Sequence, residues 1–350
     1  MNKKVIIIIA AAVVLLLVIG VVVTLLLLMG GDDTGNGGGG GKVEFIHEQI
    51  TSSGDGAFPR VDGGKVYWLE GEYTDIVEYD IGTDTEKTIY THDGKNETLT
   101  GLYVSDKEIL VKIFYDDDDL DKWRTYLAIW NKGSGEMDPL DIEPFGLSIK
   151  FEYPYVHFNE LGDGEEFSID YYVYDISTDK KTKLPTDSWG DLDGDKFYCC
   201  DQETYDGPYT AQIYDIDTGS TETVMISSKS SLQILAAEGN CILVETEDTG
   251  PDAKTYIYTY DQATGDMSKA YTEDDWIFDE AFDGRYLFYS ISEGGFSMYC
   301  DIYVLDTETG AQSHIIGTQW IASVATGTID ADDGYAVWAS EKDIQLVEIK

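Results

Sequence analysis

Two runs of carboxylates carry the clearest chemical potential in this chain: Asp116, Asp117, Asp118 and Asp119 with Asp121, and Glu160, Asp163, Glu165 and Glu166 with Asp170. Oxygen-only clusters of this kind favour hard cations such as calcium over zinc or copper. No preformed ligand spacing surrounds them. A calcium ion at Asp116, Asp118 and Glu165 is therefore expected to be held weakly, with a dissociation constant on the order of 10⁻⁴–10⁻³ M as in extracellular modules. No other cofactor is expected. Trp189, Trp276 and Trp320 fall in the same kind of connecting segment. Aromatic rings beside acids suit a cationic or sugar ligand.

Other chemistries find little support. His47, His92, His157 and His314 stand far apart, without the paired spacing of a zinc site. "DLDGDKF" at 191–197 resembles a calcium loop but lacks the later ligand positions and the distal Glu. No Gly-x-Ser-x-Gly elbow is present, and nothing resembles a following α/β catalytic domain. No catalytic residue is assigned, and an enzyme is not the first expectation. Cys199, Cys200, Cys241 and Cys300 occupy unlike positions, so no disulfide follows from their spacing and buried thiols are expected. Asn96-Glu97-Thr98 is an acceptor sequon for glycosylation.

Composition bounds the partners. The 350 residues include 67 acidic and 23 basic ones, a formal charge of -44. Such a field repels nucleic acid, whose binding needs Lys and Arg on phosphates. At 43% hydrophobic residues the chain is too apolar to be a disordered acidic tail, so the charge coats a folded core.

The N-terminus sets the expected compartment. Val5 to Met29 is uncharged, roughly 37 Å if helical, which is enough to cross a bilayer core with tilt. Lys3 and Lys4 precede it while Asp32 and Asp33 follow, so the expectation is a single-pass signal-anchor with the remainder outside. The expected domains are the anchor at 1–29, a glycine-rich tether at 30–42, and an ectodomain at 43–350. The tether is flexible because glycine at that density holds no conformation.

The elements that must position these residues repeat. An Asp after an aromatic strand recurs at Asp80, Asp175, Asp215, Asp261 and Asp306, with Asn131 in the same place, at intervals of roughly 45 residues. A glycine or aspartate turn followed by a hydrophobic strand precedes each mark, as in "GGKVYWLE" and "DGRYLFYS". Strand signals alone at this period predict a β-propeller of four-stranded antiparallel blades. There are seven such units. "KVYWL" is apolar at every second position on both faces, as a blade pressed between two neighbours requires. The last unit ends after "IQLVEIK" without a fourth strand, and "VEFIHEQI" at 43–50 is left over at the other end. The N-terminal strand is expected to close the last blade, since an open sheet edge is a liability.

"FPRVDGGKVYWLEG" with "DIVEYDIGTDTEKTIY" resembles the repeat of TolB-like propellers and of archaeal cell-surface β-propeller proteins. The resemblance spans 43–350 and rests on turn and core positions. It implies an anchored or secreted binding scaffold and carries over no catalytic residue.

The expected function is therefore a binding module at a cell surface, working through its acidic loop face on a protein or glycan. The ectodomain is expected to be monomeric, held to the membrane by its helix. Two alternatives remain: a propeller enzyme, lyase or glycan hydrolase, with carboxylates in its channel, and a TolB-like partner of an envelope transport complex. Channel carboxylates with raised proton affinity would favour the enzyme; an apolar channel would favour the scaffold.

Overall fold

In the strand Lys65–Glu70, side chains at alternate positions point to opposite faces, yet Val66, Tyr67, Trp68 and Leu69 are all buried. Both faces must be covered, and the fold supplies a neighbour on each side. Val66 and Trp68 pack with Val337, Ala339, Ile344 and Leu346 of the last blade. Tyr67 and Leu69 pack with Leu99, Leu102, Ile109 and Val111 of the next one.

The computed structural model describes residues 41–350 apart from 51–55, 95, 118–121, 147–148, 163–167, 187–189, 203–206, 238, 248–253, 276, 293–298, 321–328 and 341–342. The chain divides into two units: Met1–Gly37, outside the described residues, and Gly38–Lys350. The expected anchor therefore lies outside the described residues, among which no helix is long and apolar enough to cross a membrane.

Seven four-stranded antiparallel sheets make a β-propeller. From the channel outward, blade 1 is Ala57–Asp62, Lys65–Glu70, Asp75–Asp80 and Thr85–Thr91. Blade 2 is Glu97–Val104, Glu108–Asp117, Lys122–Asn131 and Met137–Pro139, and blade 3 is Lys150–Glu152, Tyr155–Leu161, Ile169–Asp175 and Lys180–Lys183. Blade 4 is Gly190–Asp193, Lys196–Gln202, Tyr209–Asp215 and Thr221–Ser227. Blade 5 is Ser231–Ala237, Asn240–Glu247, Lys254–Asp261 and Asp266–Glu273. Blade 6 is Ile277–Phe282, Tyr286–Ser292, Tyr299–Asp306 and Ala311–Trp320. Blade 7 takes Asp330–Asp332, Tyr335–Ser340 and Asp343–Ile349 from the C-terminus and its outer strand, Phe45–Gln49, from the N-terminus. That closing ladder runs antiparallel from Phe45 opposite Ile349 to Gln49 opposite Gln345. Its inner strand, Asp330–Asp332, pairs with Tyr335–Val337.

The apolar core is divided into layers, one at each junction between blades. Each layer is shared, so no blade has a complete core without its two neighbours. The recurring Asp works as a turn clamp. Asp80 Oδ1 accepts the Thr83 amide at 2.9 Å, Asp215 Oδ1 the Thr218 amide at 2.7 Å, and Asn131 Oδ1 the Ser134 amide at 2.8 Å. Hydroxyl bonds from Thr83 and Thr218 hold the Asp80 and Asp215 carboxyls below the usual carboxylate range. Four residues after the mark the backbone turns left-handed: Gly219 has φ 71° and Gly310 φ 70°, with Asp84 and Asp179 taking that place in blades 1 and 3.

None of the four cysteines forms a disulfide; burial pushes the Cys199 thiol up to about 12, so it is a packing group rather than a nucleophile.

Deleting residues 43–50 strips the outer strand from blade 7 and removes Val43 and Phe45 from the layer with Trp338 and Phe288. The expected result is loss of a single cooperative melting transition, or a melting temperature lower by on the order of 10 °C, read by calorimetry. Melting that matches the parent would contradict closure by this strand.

Candidate functional site

The inner strand of every blade faces one axis, and polar side chains gather there. Arg60 sits in blade 1 just after a bulge between Ala57 and Arg60, where Phe58 is held at φ 54°. A bulky residue in the left-handed region is strained, and such strain collects at functional sites. The Arg60 guanidinium lies 5.3 Å over the Tyr103 ring of blade 2, and its Nη1 donates to the Pro59 carbonyl at 2.8 Å. Lys150 opens the inner strand of blade 3 and reaches Asp191 Oδ1 of blade 4 at 3.1 Å. Asp279 and Glu280 come from blade 6, and Asp330 from blade 7.

These groups feel one another across the ring. Burial pushes the Glu280 carboxyl up to about 8, and Asp279 adds to that push while Lys150 opposes it. Burial raises Asp279 to about 6 against the pull of Arg60 and Lys150. Asp330 is also raised by burial, opposed by Arg60. Asp191 in turn holds the Lys150 ammonium above its usual range, with Asp330 contributing. Residues from blades 1, 3, 4, 6 and 7 interact because their strands converge on a single channel. Lys150 keeps 49% side-chain exposure, so water enters this space.

A second tier of acids lies at the end of the channel carrying the turns between first and second strands. Burial, then Asp193, Asp106 and Asp62, push Glu152 up to about 7. Burial and Asp62 raise Asp332 to about 6.

Several of these aspartates also join the blades. Asp191 Oδ2 accepts the Ala236 amide at 3.1 Å and Asp193 Oδ2 the Gly239 amide at 2.7 Å, from blade 4 to blade 5. Asp279 accepts from Ile329 at 3.0 Å and Asp283 from Gly334 at 2.8 Å, from blade 6 to blade 7. Asp330 accepts from Val61 and Asp332 from Gly63, each at 2.8 Å, from blade 7 to blade 1. Inner strands of neighbouring blades share no ladder, so these side chains supply acceptors that the sheets do not.

Most of the residues proposed from the sequence lie outside the description. Asp118, Asp119, Asp121, Asp163, Glu165, Glu166, Trp189 and Trp276 lie outside the described residues. Asp116 is exposed near the end of a blade 2 strand that Asp117 completes; the side chain of Asp117 is outside the description. Trp320 closes the outer strand of blade 6, opposite Tyr299, rather than a connecting loop. Glu160 and Asp170 do come together, as ladder partners in blade 3. Each is met by a lysine of the outer strand, Glu160 by Lys181 and Asp170 by Lys183 at 2.8 Å. Lys181 also lies 4.2 Å over the Tyr172 ring. These two acids are thus neutralised within their own blade. Asn96 stands at φ 64°, and its carbonyl accepts the Asp116 amide at 3.0 Å. Among the described residues no three His, Cys, Asp or Glu side chains are arranged to hold a metal ion.

Loop composition did not reveal the channel. Its signal was acids at alternating positions of inner strands, Asp191 with Asp193 and Asp330 with Asp332, just before a glycine turn. Buried strands are expected to be apolar at those positions.

No family model matches the chain, and no curated protein matches it. Solved structures do. An oligogalacturonate lyase in complex with manganese aligns with a TM-score of 0.57 at 13% identity, covering 89% of this chain and 98% of that one. The β-propeller domain of the Trilobed protease from Pyrococcus furiosus, described as having an open velcro topology, aligns at 0.54 and 13%, covering 73% and 83%. TolB from Acinetobacter baumannii aligns at 0.45 and 13%, covering 71% and 66%. The similar structures thus include TolB and other propeller proteins, among them a lyase and a protease domain. At these identities the shared property is the fold.

The raised channel acids give a pH dependence with a definite sign. Glu280 and Glu152 bind protons in the folded state at pH values where an ordinary glutamate, near 4.5, has lost them. Stability therefore falls as pH rises through about 4.5 to 8. Buried His157 acts oppositely: burial lowers it to about 3 from 6.5, so its contribution grows up to pH 6.5 and is constant above. Between pH 6.5 and 8.5 the melting temperature should fall, and Glu280→Gln should flatten that slope. A melting temperature independent of pH in the parent would contradict the placement of Glu280.

Proposed function

We propose that the protein is an anchored, outward-facing propeller that binds a positively charged ligand or protein segment in its channel. The observation that carries this reading is the cluster of Asp191, Asp279, Glu280 and Asp330, met among the described residues by Arg60 and Lys150. Burial pushes up the proton affinity of Asp279, Glu280 and Asp330, with Asp279 adding to the push on Glu280, and carboxyls in that state are short of positive charge. An entering cation satisfies them, and the field of a chain with net charge -44 attracts it. The uncharged segment from Val5 to Met29 supports the placement at a membrane.

A second reading draws on the adjacent pair of Asp279 at about 6 and Glu280 at about 8. Two carboxyls whose affinities are pushed apart can serve as base and acid in a lyase or glycan hydrolase.

Spermidine is a suitable cationic probe for calorimetric titration near pH 7 in buffers of different ionisation enthalpy. Binding should release protons, because added positive charge draws the Glu280 carboxyl down. Glu280→Gln should abolish that release and weaken binding about tenfold, or about 1.4 kcal/mol. Binding unaffected by this substitution would place the cation on the rim and overturn the channel reading. Release of new reducing ends from a polysaccharide, abolished in the same variant, would favour the enzyme instead.

A further inference from the structure

Eight Asp-Gly bonds occur in the chain, and five have both residues among the described ones: Asp62-Gly63, Asp93-Gly94, Asp193-Gly194, Asp283-Gly284 and Asp333-Gly334. An aspartyl carboxyl can close on the backbone nitrogen of a following glycine, because no Cβ there hinders the approach. Closure needs a carboxyl and an amide that can both move. Of the five pairs, one meets that condition.

The other four lie in turns between the first and second strands of blades 1, 4, 6 and 7, where side-chain bonds hold them. Gly63 N–H donates to Asp332 Oδ2 at 2.8 Å, and the Asp62 carboxylate is paired with Lys132 at 2.9 Å. Asp193 Oδ2 accepts the Gly239 amide at 2.7 Å. Asp283 Oδ2 accepts the Gly334 amide at 2.8 Å, so one bond fixes the carboxyl of one pair and the amide of another. Asp283 Oδ1 also accepts the Arg285 amide at 3.0 Å.

Asp93 and Gly94 lie instead in the connection from the outer strand of blade 1 to the inner strand of blade 2, outside any ladder. Asp93 is exposed, and among the described residues neither its carboxyl nor the Gly94 amide has a hydrogen-bond partner. The chain is fixed on either side of them. His92 N–H donates to the Thr74 carbonyl at 2.8 Å, and the Asn96 carbonyl accepts the Asp116 amide at 3.0 Å. Gly94 rests on the pair of His92 Nε2 and Glu97 Oε2, 2.9 Å apart, so closely that a side chain at 94 would overlap both atoms.

We propose that Asp93-Gly94 is a site of spontaneous aspartate isomerisation in the folded protein. The Gly94 nitrogen attacks Cγ of the protonated Asp93 carboxyl. The N–Cγ bond forms, and the carboxyl OH leaves as water together with the amide proton. Water then opens the five-membered imide at either carbonyl. Opening at Cγ restores aspartate, while opening at the Asp93 backbone carbonyl leaves isoaspartate, whose main chain runs through Cβ. No oxidant or cofactor is consumed, and the net charge is unaltered. The product has one more methylene in the connection between blades 1 and 2, which displaces Gly94 from the His92–Glu97 pair.

The test is incubation of the full chain at neutral pH in water enriched in oxygen-18, followed by trypsin digestion and mass spectrometry. Each imide that opens gains one heavy oxygen, and fragmentation distinguishes isoaspartate from aspartate. Cleavage after Arg60 and Lys65, and after Lys87 and Lys95, places Asp62 and Asp93 in separate peptides, each without another aspartate. The 88–95 peptide should gain label about tenfold faster than 61–65, since freeing a clamped group costs about 1.4 kcal/mol. In urea the two rates should converge, which ties the difference to the fold. Asp93→Glu should abolish labelling of 88–95, because the longer side chain closes its ring far more slowly. Equal rates in the folded protein, a faster reaction at Asp62, a difference that persists in urea, or label persisting in Asp93→Glu would each overturn the proposal.

Discussion

One ladder joins the two ends of this propeller, and the other junctions depend on it. Phe45–Gln49 pairs with Asp343–Ile349, so that His47 Nε2 meets Gln345 Oε1 at 3.0 Å across 298 residues of chain. Bringing ends that far apart together carries a closure entropy of about 5 kcal/mol. The return is spread around the ring. Blade 1 can cover Val66 and Trp68 only with the last blade, and Phe288 of blade 6 packs with Trp338 of that blade. Without the closing strand the last blade would lose its outer ladder and present an unpaired edge.

Closing a ring of blades also forces inner strands to meet around an axis where no ladder links one blade to the next. Aspartates bridge that gap, accepting amides of the following blade at three junctions. The same requirement draws negative charge inward. Each clasp leaves a carboxylate beside other carboxylates, with Arg60 and Lys150 offsetting only part of it. The high proton affinity of the channel is thus a by-product of how the ring is fastened, and a ligand site built on it needs few additional residues. Blade 1 adds one, where the strained Phe58 and the bulge beside it bring Arg60 over Tyr103.

Much of the fold was legible in the sequence because its strongest signals are local. The Asp turn is complete within five residues, from Asp215 to Gly219, and buried strands such as Lys65–Glu70 show their two covered faces in their own composition. The leftover strand at 43–50 followed from counting. The channel was harder to read. Lys150–Glu152 and Asp330–Asp332 are strands of three residues, polar enough to pass for loop, and their meaning depends on partners from distant blades. Glu160 and Asp170 were legible as neighbours. Their neutralisation by Lys181 and Lys183 was not, since those lysines lie on the far side of an outer strand and meet them only across the ladder.

The crowding of the channel shows most strongly in Asp279 and Glu280, which burial holds protonated above the usual carboxylate range. Its most direct test is a ¹³C carboxyl NMR titration of the folded protein, assigned with Glu280→Gln and Asp279→Asn. A Glu280 midpoint at about 8 and an Asp279 midpoint at about 6 are expected. Midpoints for both at the ordinary values of 4.5 and 3.8 would contradict it.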